Sequence, residues 1–372
     1  MSPPAFEHLD EARAWFGAWL DGLALPLWWR AGADQGGGGF YDALDAAGSP
    51  VVEAPRRIRV QTRQAYVYAS AGVSGWEGPW RAAALHGLGA LARYRRPDGL
   101  FARSAAADGS LLDAAGLLYE QAFVLLAFAA AHRAGLGEGF ADEAKALRGA
   151  LESLRHPSGG FREQDEHPFQ ANAHMHLFEA ARAWEATGAP GGWAALADEI
   201  AELCLSRFID SDGGFLREFF DAGWRPAAGD DGRLVEPGHQ FEWAWLLGGW
   251  AKARGHRRAQ GAARRLFDIG RLGVDGSRRV AVNALWDRDL AVRDAQARLW
   301  PQTERLRAAV LLGEDVDALD AARALARYLD APTPGSWRDK MRADGGFVEE
   351  PAPASSLYHL WGACRALADA RG

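Results

Sequence analysis

The chain has 372 residues, 48% of them hydrophobic, and carries 49 acidic against 42 basic side chains for a formal net charge of −7. That balance, with no basic tract, argues against a nucleic-acid partner, whose phosphates demand clustered Lys and Arg. The two cysteines, Cys204 and Cys364, show neither metal nor redox spacing and read as small core residues. The first ten residues contain Pro3, Pro4, Glu7 and Asp10 and lack a basic start followed by an apolar run, so no signal peptide is expected. The longest apolar run, 122–131, is too short to span a membrane, and a cytoplasmic protein is the expectation.

From the N-terminus onward, a Gly-Phe mark punctuates the chain: Gly38-Gly39-Phe40, Gly99-Leu100-Phe101, Gly159-Gly160-Phe161, Gly213-Gly214-Phe215, Asp275-Gly276 and Gly345-Gly346-Phe347. A spacing of about 60 residues is the sign of a repeat architecture, here six copies of one unit. The first mark, with Gly36 and Gly37, is a turn and not a phosphate cradle, because no strand-to-helix context or Gly-Lys-Ser/Thr ending accompanies it. Each interval is rich in Ala, Leu, Arg and Glu with apolar residues at three- and four-residue spacing, which predicts two helices per unit. Six helical hairpins can form an open solenoid or close into a ring, and periodicity does not choose. No linker divides the chain, so residues 1–372 read as one domain.

Five segments carry polar residues where a purely structural helix would not. Arg56, Arg59 and Arg63, after Pro55, recur along one predicted helix face with Tyr66; cations near a helix N-terminus oppose the dipole and call for an acidic ligand, although a solvated stripe is the ordinary reading. In the next segment, Asn172, His176 and Glu179 share a stripe, whereas His174 points away, so His-x-His makes a poor metal clamp and no metal site is expected. Asn172 and His176 suit sugar hydroxyls or a polar network between helices.

Further on, Pro237 and Gly238 open a strongly apolar helix on which His239 and Glu242 fall at i and i+3. The helix N-terminus favours neutral imidazole and the carboxylate favours imidazolium, an opposition suited to a group that takes and returns a proton. Trp300, Pro301 and Glu304 begin another helix. His359 lies in the first turns of a last one, after Pro351, Pro353, Ser355 and Ser356, and by itself reads as a core histidine. The sixteen tryptophans offer faces for sugar rings but mostly fill core in any helical protein.

Glu236-Pro237-Gly238-His239-x-x-Glu242-Trp243, Asn172-x-x-x-His176-Leu177 and Trp300-Pro301-Gln302-x-Glu304 resemble the N-acylglucosamine 2-epimerase superfamily, which includes mannose isomerases and cellobiose 2-epimerases. The resemblance runs from Gln61-Thr62-Arg63-Gln64 to Tyr358-His359. It implies an all-α (α/α)6 barrel and cofactor-free chemistry, with His239 and His359 as the proton-transferring pair and Glu242 assisting His239. It further implies that Arg63 holds substrate oxygens and that Asn172, His176 and Trp300 line the sugar pocket, with Glu304 as a supporting carboxylate. Arg59, like Arg56, leaves a phosphorylated sugar open, since guanidinium groups suit phosphate oxygens.

The resemblance carries the choice of reaction some way. Ala354 stands where cellobiose epimerases place a Trp five residues before the final His, which argues against a disaccharide. The segments 355–360 and 239–245 look more like mannose isomerases, whereas Gln61 and Gln64 look more like the N-acylglucosamine epimerases. The expectation is an isomerase interconverting D-mannose and D-fructose through an enediol, as a monomer or homodimer. A 2-epimerase or an isomerase of mannose 6-phosphate is the near alternative. Two more distant readings are a glycoside hydrolase using carboxylates among Glu218, Asp221 and Glu242, and a helical binding scaffold without chemistry.

Overall fold

A computed structural model describes residues 5–163 and 165–370. The helices are α1 (Leu9–Trp19), α2 (Leu25–Arg30), α3 (Ile58–Val73), α4 (Trp80–Ala90), α5 (Leu118–Arg133), α6 (Phe140–Leu151), α7 (Ala171–Glu185), α8 (Trp193–Leu203), α9 (Pro237–Arg254), α10 (Arg257–Leu272), α11 (Leu299–Leu312), α12 (Asp315–Tyr328) and α13 (Ser356–Asp369). A π-turn, Leu20–Ala24, joins α1 to α2 so that the two act as one element.

Burial sorts these helices into two layers. In α5 only Tyr119, His132 and Arg133 escape full burial, a helix apolar all round that must be covered on every side. In α10 the buried Ala259, Ala263, Leu266, Phe267 and Gly270 keep to one face, as in a helix packed on one side only. The inner helices α3, α5, α7, α9, α11 and α13 each touch the next, and α13 returns to α3, so the ring is closed. Each is backed by an outer partner: α4, α6, α8, α10 and α12 in turn, and α1 behind α13. The fold is therefore an (α/α)6 barrel, and closure excludes the open solenoid. One hydrophobic cluster extends from Phe6 to Leu367 and includes the fully buried Trp28, Trp184, Trp243 and Cys204.

The two mouths of the ring are unlike. Connections from an inner helix to its outer partner are short: 74–79, 134–139, 186–192, 255–256 and 313–314. Those from an outer helix to the next inner helix are long, and they carry the Gly-Phe marks and strands of two or three residues. Antiparallel pairs lace them together: Ala43–Leu44 with Ala352–Pro353, Arg56–Arg57 with Ser104–Ala105, Phe169–Gln170 with Phe219–Phe220, Leu234–Val235 with Ala284–Trp286, and Ala297–Arg298 with Lys340–Met341. Between the second and third connections a side chain does this work: Glu163 Oε2 accepts from the Leu118 amide at 2.7 Å, at the start of α5.

The marks owe their recurrence to an inner-helix amide. Gln61, Gln121, Gln240 and Gln302 each accept from the N–H and donate to the C=O of one loop residue, namely Phe40, Phe101, Leu216 and Ala281. His174 takes that place in the third unit, where its Nε2 accepts from Phe161 N at 3.0 Å. Gly39 has φ of +83°, and a Cβ there would stand 2.5 Å from Gln61 Oε1, so the turn and the close approach both require glycine.

Arg56 departs from the sequence expectation: it lies in a strand before α3, pairs with Asp34 at 3.1 Å and stacks on Tyr41. The residue before α3 is extended and the helix starts only at Ile58, so Arg56 cannot share a helical face with Arg59 and Arg63.

Candidate active site

The N-termini of the inner helices and the long connections enclose a cavity of 340 Å³. His239, His359, Glu242, Arg63, Arg59, Asn172, His176 and Trp300 all line it, and Glu304 lies directly behind His359.

His239 is the third residue of α9 and is 8% exposed. Its Nδ1 lies 2.8 Å from Glu218 Oε2 and 3.2 Å from Glu236 Oε2. Burial favours the neutral ring, but Glu218 and Glu236 outweigh it and push the pKa up to about 10, so His239 is an imidazolium at neutral pH. His359 is the opposite case. Its Nδ1 lies 2.8 Å from Glu304 Oε1, yet burial, with Arg63, His176 and Arg307 around it, holds its pKa well below the usual imidazole range. Glu304 is bound on its other oxygen by Arg307 at 2.7 Å, which satisfies the carboxylate without charging the ring. A neutral His359 that donates from Nδ1 presents a free Nε2 lone pair.

Trp300 stands between the two, its ring centroid 4.9 Å from that of His239 and 5.7 Å from that of His359. The indole rests on α9 because residue 238 is glycine: a Cβ there would meet Trp300 Cη2 at 2.4 Å. The Pro-Gly-His opening of α9 is thus a helix start, a bed for the indole and a histidine mount in consecutive residues.

Arg63 donates to Tyr119 Oη at 2.7 Å and to the Ser355 carbonyl at 3.2 Å, and its guanidinium lies 4.1 Å from the centroid of Phe123. The other arginines on this wall are each paired with a carboxylate: Arg57 with Asp42, Arg59 with Glu120, Arg103 with Asp113 and Arg298 with Asp339. Among the described residues Arg63 has no such partner. Asn172 leaves Oδ1 without a hydrogen bond. His176, 3.5 Å from Glu179, is held neutral by burial at a pKa of about 4. As read from the helical stripe, Asn172 and His176 face the cavity while His174 turns outward to Phe161.

The carboxylate on His239 Nδ1 is Glu218, brought from the preceding connection, and Glu242 acts on His239 only as a smaller, more remote charge. Glu242 instead faces His176 at 4.0 Å, with Oε1 unbonded, and burial beside Glu304 and Glu179 raises its pKa well above the carboxylate range. The carboxylates nominated for glycoside hydrolysis do not form an array: Asp221 is exposed in a turn bonded to Gly223 and Arg225, and Glu218 is committed to His239. Among the described residues, Glu242, Glu304 and His359 form the one group with metal-ligand atoms all within 4.8 Å. Glu304 already binds His359 through one oxygen and Arg307 through the other, so a cation there would compete with both.

Sequence reasoning missed Glu236, Glu163, Tyr119 and the role of Glu218. A signal existed. Two residues after each of the bridged loop residues Phe40, Phe101, Phe161, Leu216, Ala281 and Phe347 stands a polar one: Asp42, Arg103, Glu163, Glu218, Asn283 and Glu349. The Gly-Phe marks show that register in the first, second, third and sixth units, and Arg103 and Glu163 reach the cavity; in the fourth the bridge falls one residue after Phe215, which hid Glu218.

Known proteins agree with this architecture. The profile of the N-acylglucosamine 2-epimerase (GlcNAc 2-epimerase) family matches residues 38–363. The chain is 48% identical over 363 residues, 92% of this chain and 93% of the other, to a mannose-6-phosphate isomerase of Rhizobium meliloti (strain 1021). It is 34% identical over 259 residues to a D-mannose isomerase of Thermobifida fusca, a match covering 63% of this chain and 62% of that one. Among solved structures, a D-mannose isomerase superposes with a TM-score of 0.87 at 22% identity over 99% of both chains. A cellobiose 2-epimerase of Bacillus thermoamylovorans B4167 gives 0.85 at 18% identity, over 96% of this chain and 99% of the other.

Fold and relatives together define a carbohydrate isomerase or epimerase built on the (α/α)6 barrel. The chain belongs to the N-acylglucosamine 2-epimerase family. Among the described residues no helix is long and apolar enough to cross a membrane.

Proposed function

We propose that the protein interconverts D-mannose and D-fructose by proton transfer between His359, His239 and the open-chain sugar. The observation that carries this reading is a pair of histidines beside Trp300 in one cavity, each bonded through Nδ1 to a carboxylate, with the pKa of His239 raised and that of His359 lowered as suits an acid and a base. Ring opening breaks the bond between C1 and the ring oxygen; His239 protonates that oxygen and, now neutral, takes the proton released by the C1 hydroxyl, which restores its imidazolium. His359 Nε2 then removes the C2 proton, leaving an enediolate whose charge falls to Arg63, the wall arginine without a carboxylate. Returning that proton to C1, with the O2 proton passing to O1, yields the ketose. Glu242, kept protonated by its surroundings, is placed to relay the hydroxyl proton.

Isomerisation is preferred to 2-epimerisation because the two relatives named above are a mannose-6-phosphate isomerase and a D-mannose isomerase. Unphosphorylated mannose is preferred because Arg57, Arg59, Arg103 and Arg298 are already paired and Glu163, Asp165 and Glu236 share the wall, so that among the described residues Arg63 alone of the wall arginines is free of a carboxylate, and it is assigned to the enediolate. Mannose 6-phosphate is the second reading, favoured by the relative that matches 92% of the chain.

A proton and carbon NMR time course in deuterated water, with EDTA present and His359→Ala as control, tests the reading. Fructose formed from mannose, absent in the variant, is the expected result. Glucose deuterated at C2 with little fructose would replace isomerase by epimerase. Turnover of mannose 6-phosphate alone would select the second reading, and a rate abolished by EDTA would overturn metal-free transfer.

A further inference from the structure

Arg63 of α3 reaches side chains of both neighbours in the ring, α5 and α13. On α5, Tyr119 and Phe123 lie one turn apart on the same face, and α13 offers Tyr358. The guanidinium lies over all three rings, 4.1 Å from the centroid of Phe123, 4.9 Å from that of Tyr358 and 5.9 Å from that of Tyr119. Of the N–H groups on its side chain, one donates to Tyr119 Oη and one to the Ser355 carbonyl, while Nε–H has no partner.

Phe123 is 1% exposed, and burial by itself asks only for an apolar side chain of its size. Its surroundings are more particular. Its ring centroid lies 4.4 Å from that of His176 and 5.5 Å, edge to face, from that of Tyr358. Tyr358 turns its ring to Arg63 and its hydroxyl away, donating to Glu179 Oε2. Glu179 is also approached by His176 at 3.5 Å and by Arg307 at 3.7 Å. Tyr358 thus stands between Arg63 and a carboxylate that has partners of its own.

A buried guanidinium can be fixed in two ways. A carboxylate holds it firmly but largely cancels its charge before an anionic intermediate forms. An aromatic face attracts a cation through its quadrupole and carries no net charge, so the guanidinium is held and its full charge remains. The four other arginines of the cavity wall are held in the first way and Arg63 in the second. Burial, and after it the charge of Arg63, hold the pKa of His359 down, so the same cation also serves the base.

We propose that Phe123, with Tyr358, is a positioning residue for the enediolate: its ring holds Arg63 in place of a carboxylate, and Phe123 acts on the reaction only through that guanidinium. Its effect on turnover rests on the role given above to Arg63, whereas its hold on the guanidinium does not.

Phe123→Leu keeps an apolar side chain and removes the ring face. Turnover of D-mannose should fall about tenfold in kcat, within the worth of a desolvated cation–π contact, with KM changed by less than about twofold. Introduced into Arg63→Gln, where no cation remains to be held, the same substitution should lower kcat by less than about twofold further. Equal factors in the two backgrounds would make Phe123 a packing residue and overturn the proposal, as would an unchanged kcat in Phe123→Leu. Denaturant titration checks that each variant is folded under the assay conditions. The hold on Arg63 is read without sugar, by nitrogen-relaxation NMR of its Nε–H, assigned by the loss of that signal in Arg63→Gln. The order parameter should drop in Phe123→Leu, and an unchanged value overturns the proposal even where the Arg63→Gln rate is too low to measure. A wild-type protein that turns over no sugar would sink the isomerase reading, while a drop in the order parameter would still support the hold.

Discussion

Nδ1 of His239 lies 2.8 Å from Glu218 Oε2, a carboxylate supplied not by the histidine's own helix but by the long connection before it. With Glu236 it reverses the effect of burial and of the helix N-terminus, and keeps the imidazole charged up to a pKa of about 10. At Nδ1 of His359, Glu304 is held by Arg307 and the ring stays neutral. Two histidines that each bond a carboxylate through Nδ1 are thus shifted in opposite directions, His359 downward by burial with Arg63, His176 and Arg307, and His239 upward by Glu218 and a second carboxylate, Glu236.

Glu218→Gln removes the main charge holding His239 protonated. A group whose pKa is raised keeps its proton, and here its activity as an acid, until pH passes the raised value. Wild-type kcat should therefore persist up to about pH 10, and the alkaline limb should fall toward the ordinary imidazole range, about 6.5, in the variant. At pH 8 the loss should be at most about 30-fold, the limit set by the fraction of imidazolium left when its pKa is about 6.5. A pH–rate profile reads it, and an unmoved alkaline limb would separate Glu218 from His239 function.

The acid limb tests His359. Its depressed pKa keeps it a base well below the ordinary imidazole range, so deuterium wash-in at C2 should continue into mildly acidic solution. Arg307→Lys retains a charge but loses the planar fork bound to Glu304, and should shift that limb as well as lower kcat. A structural defect alone would lower the amount of folded enzyme and leave the limb in place.

Arg63→Lys preserves the charge but not the bridge from Tyr119 Oη to the Ser355 carbonyl. If Arg63 meets the enediolate oxygens, kcat should drop about 10²–10³-fold with a smaller change in KM. Equal loss in KM with kcat intact would reduce Arg63 to a binding residue.

Gly238→Ala puts a methyl 2.4 Å from the Trp300 indole, which must move off α9. The histidines keep their carboxylates, so the pH profile should be preserved while KM rises, by about tenfold for a mispositioned sugar wall. Steady-state kinetics at several pH values distinguish this from damage to the proton-transfer groups.

Gln121→Ala leaves the N–H and C=O of Phe101 unpaired in the core. Losing both bonds should cost about 2–3 kcal/mol of stability, with turnover per folded molecule little changed. Denaturant titration measures it, and an unchanged midpoint would mean that water replaces the amide.

Much of the fold is written in local pattern. The Gly-Phe marks recur because each unit repeats one turn, and the turn needs glycine where an inner-helix Gln approaches the backbone, as at Gly39 and Gln61; steric demands of that kind act over a few residues and leave a periodic trace. Two helices per unit, and the stripe joining Asn172 to His176, follow from the helical repeat in the same way. Ring closure does not, because α13 meets α3 and α1 across almost the whole chain, and nothing local distinguishes a sixth hairpin that closes from one that ends a solenoid. Nor could sequence assign the carboxylates: Glu242 is near His239 in the helix, but Glu218 reaches its nitrogen from across a loop. The chain by itself determines the units and the helix-borne groups that line the cavity, among them both histidines, Arg63 and Trp300. Their charges are decided by tertiary structure, since a proton's affinity depends on burial and on partners brought together from different repeats.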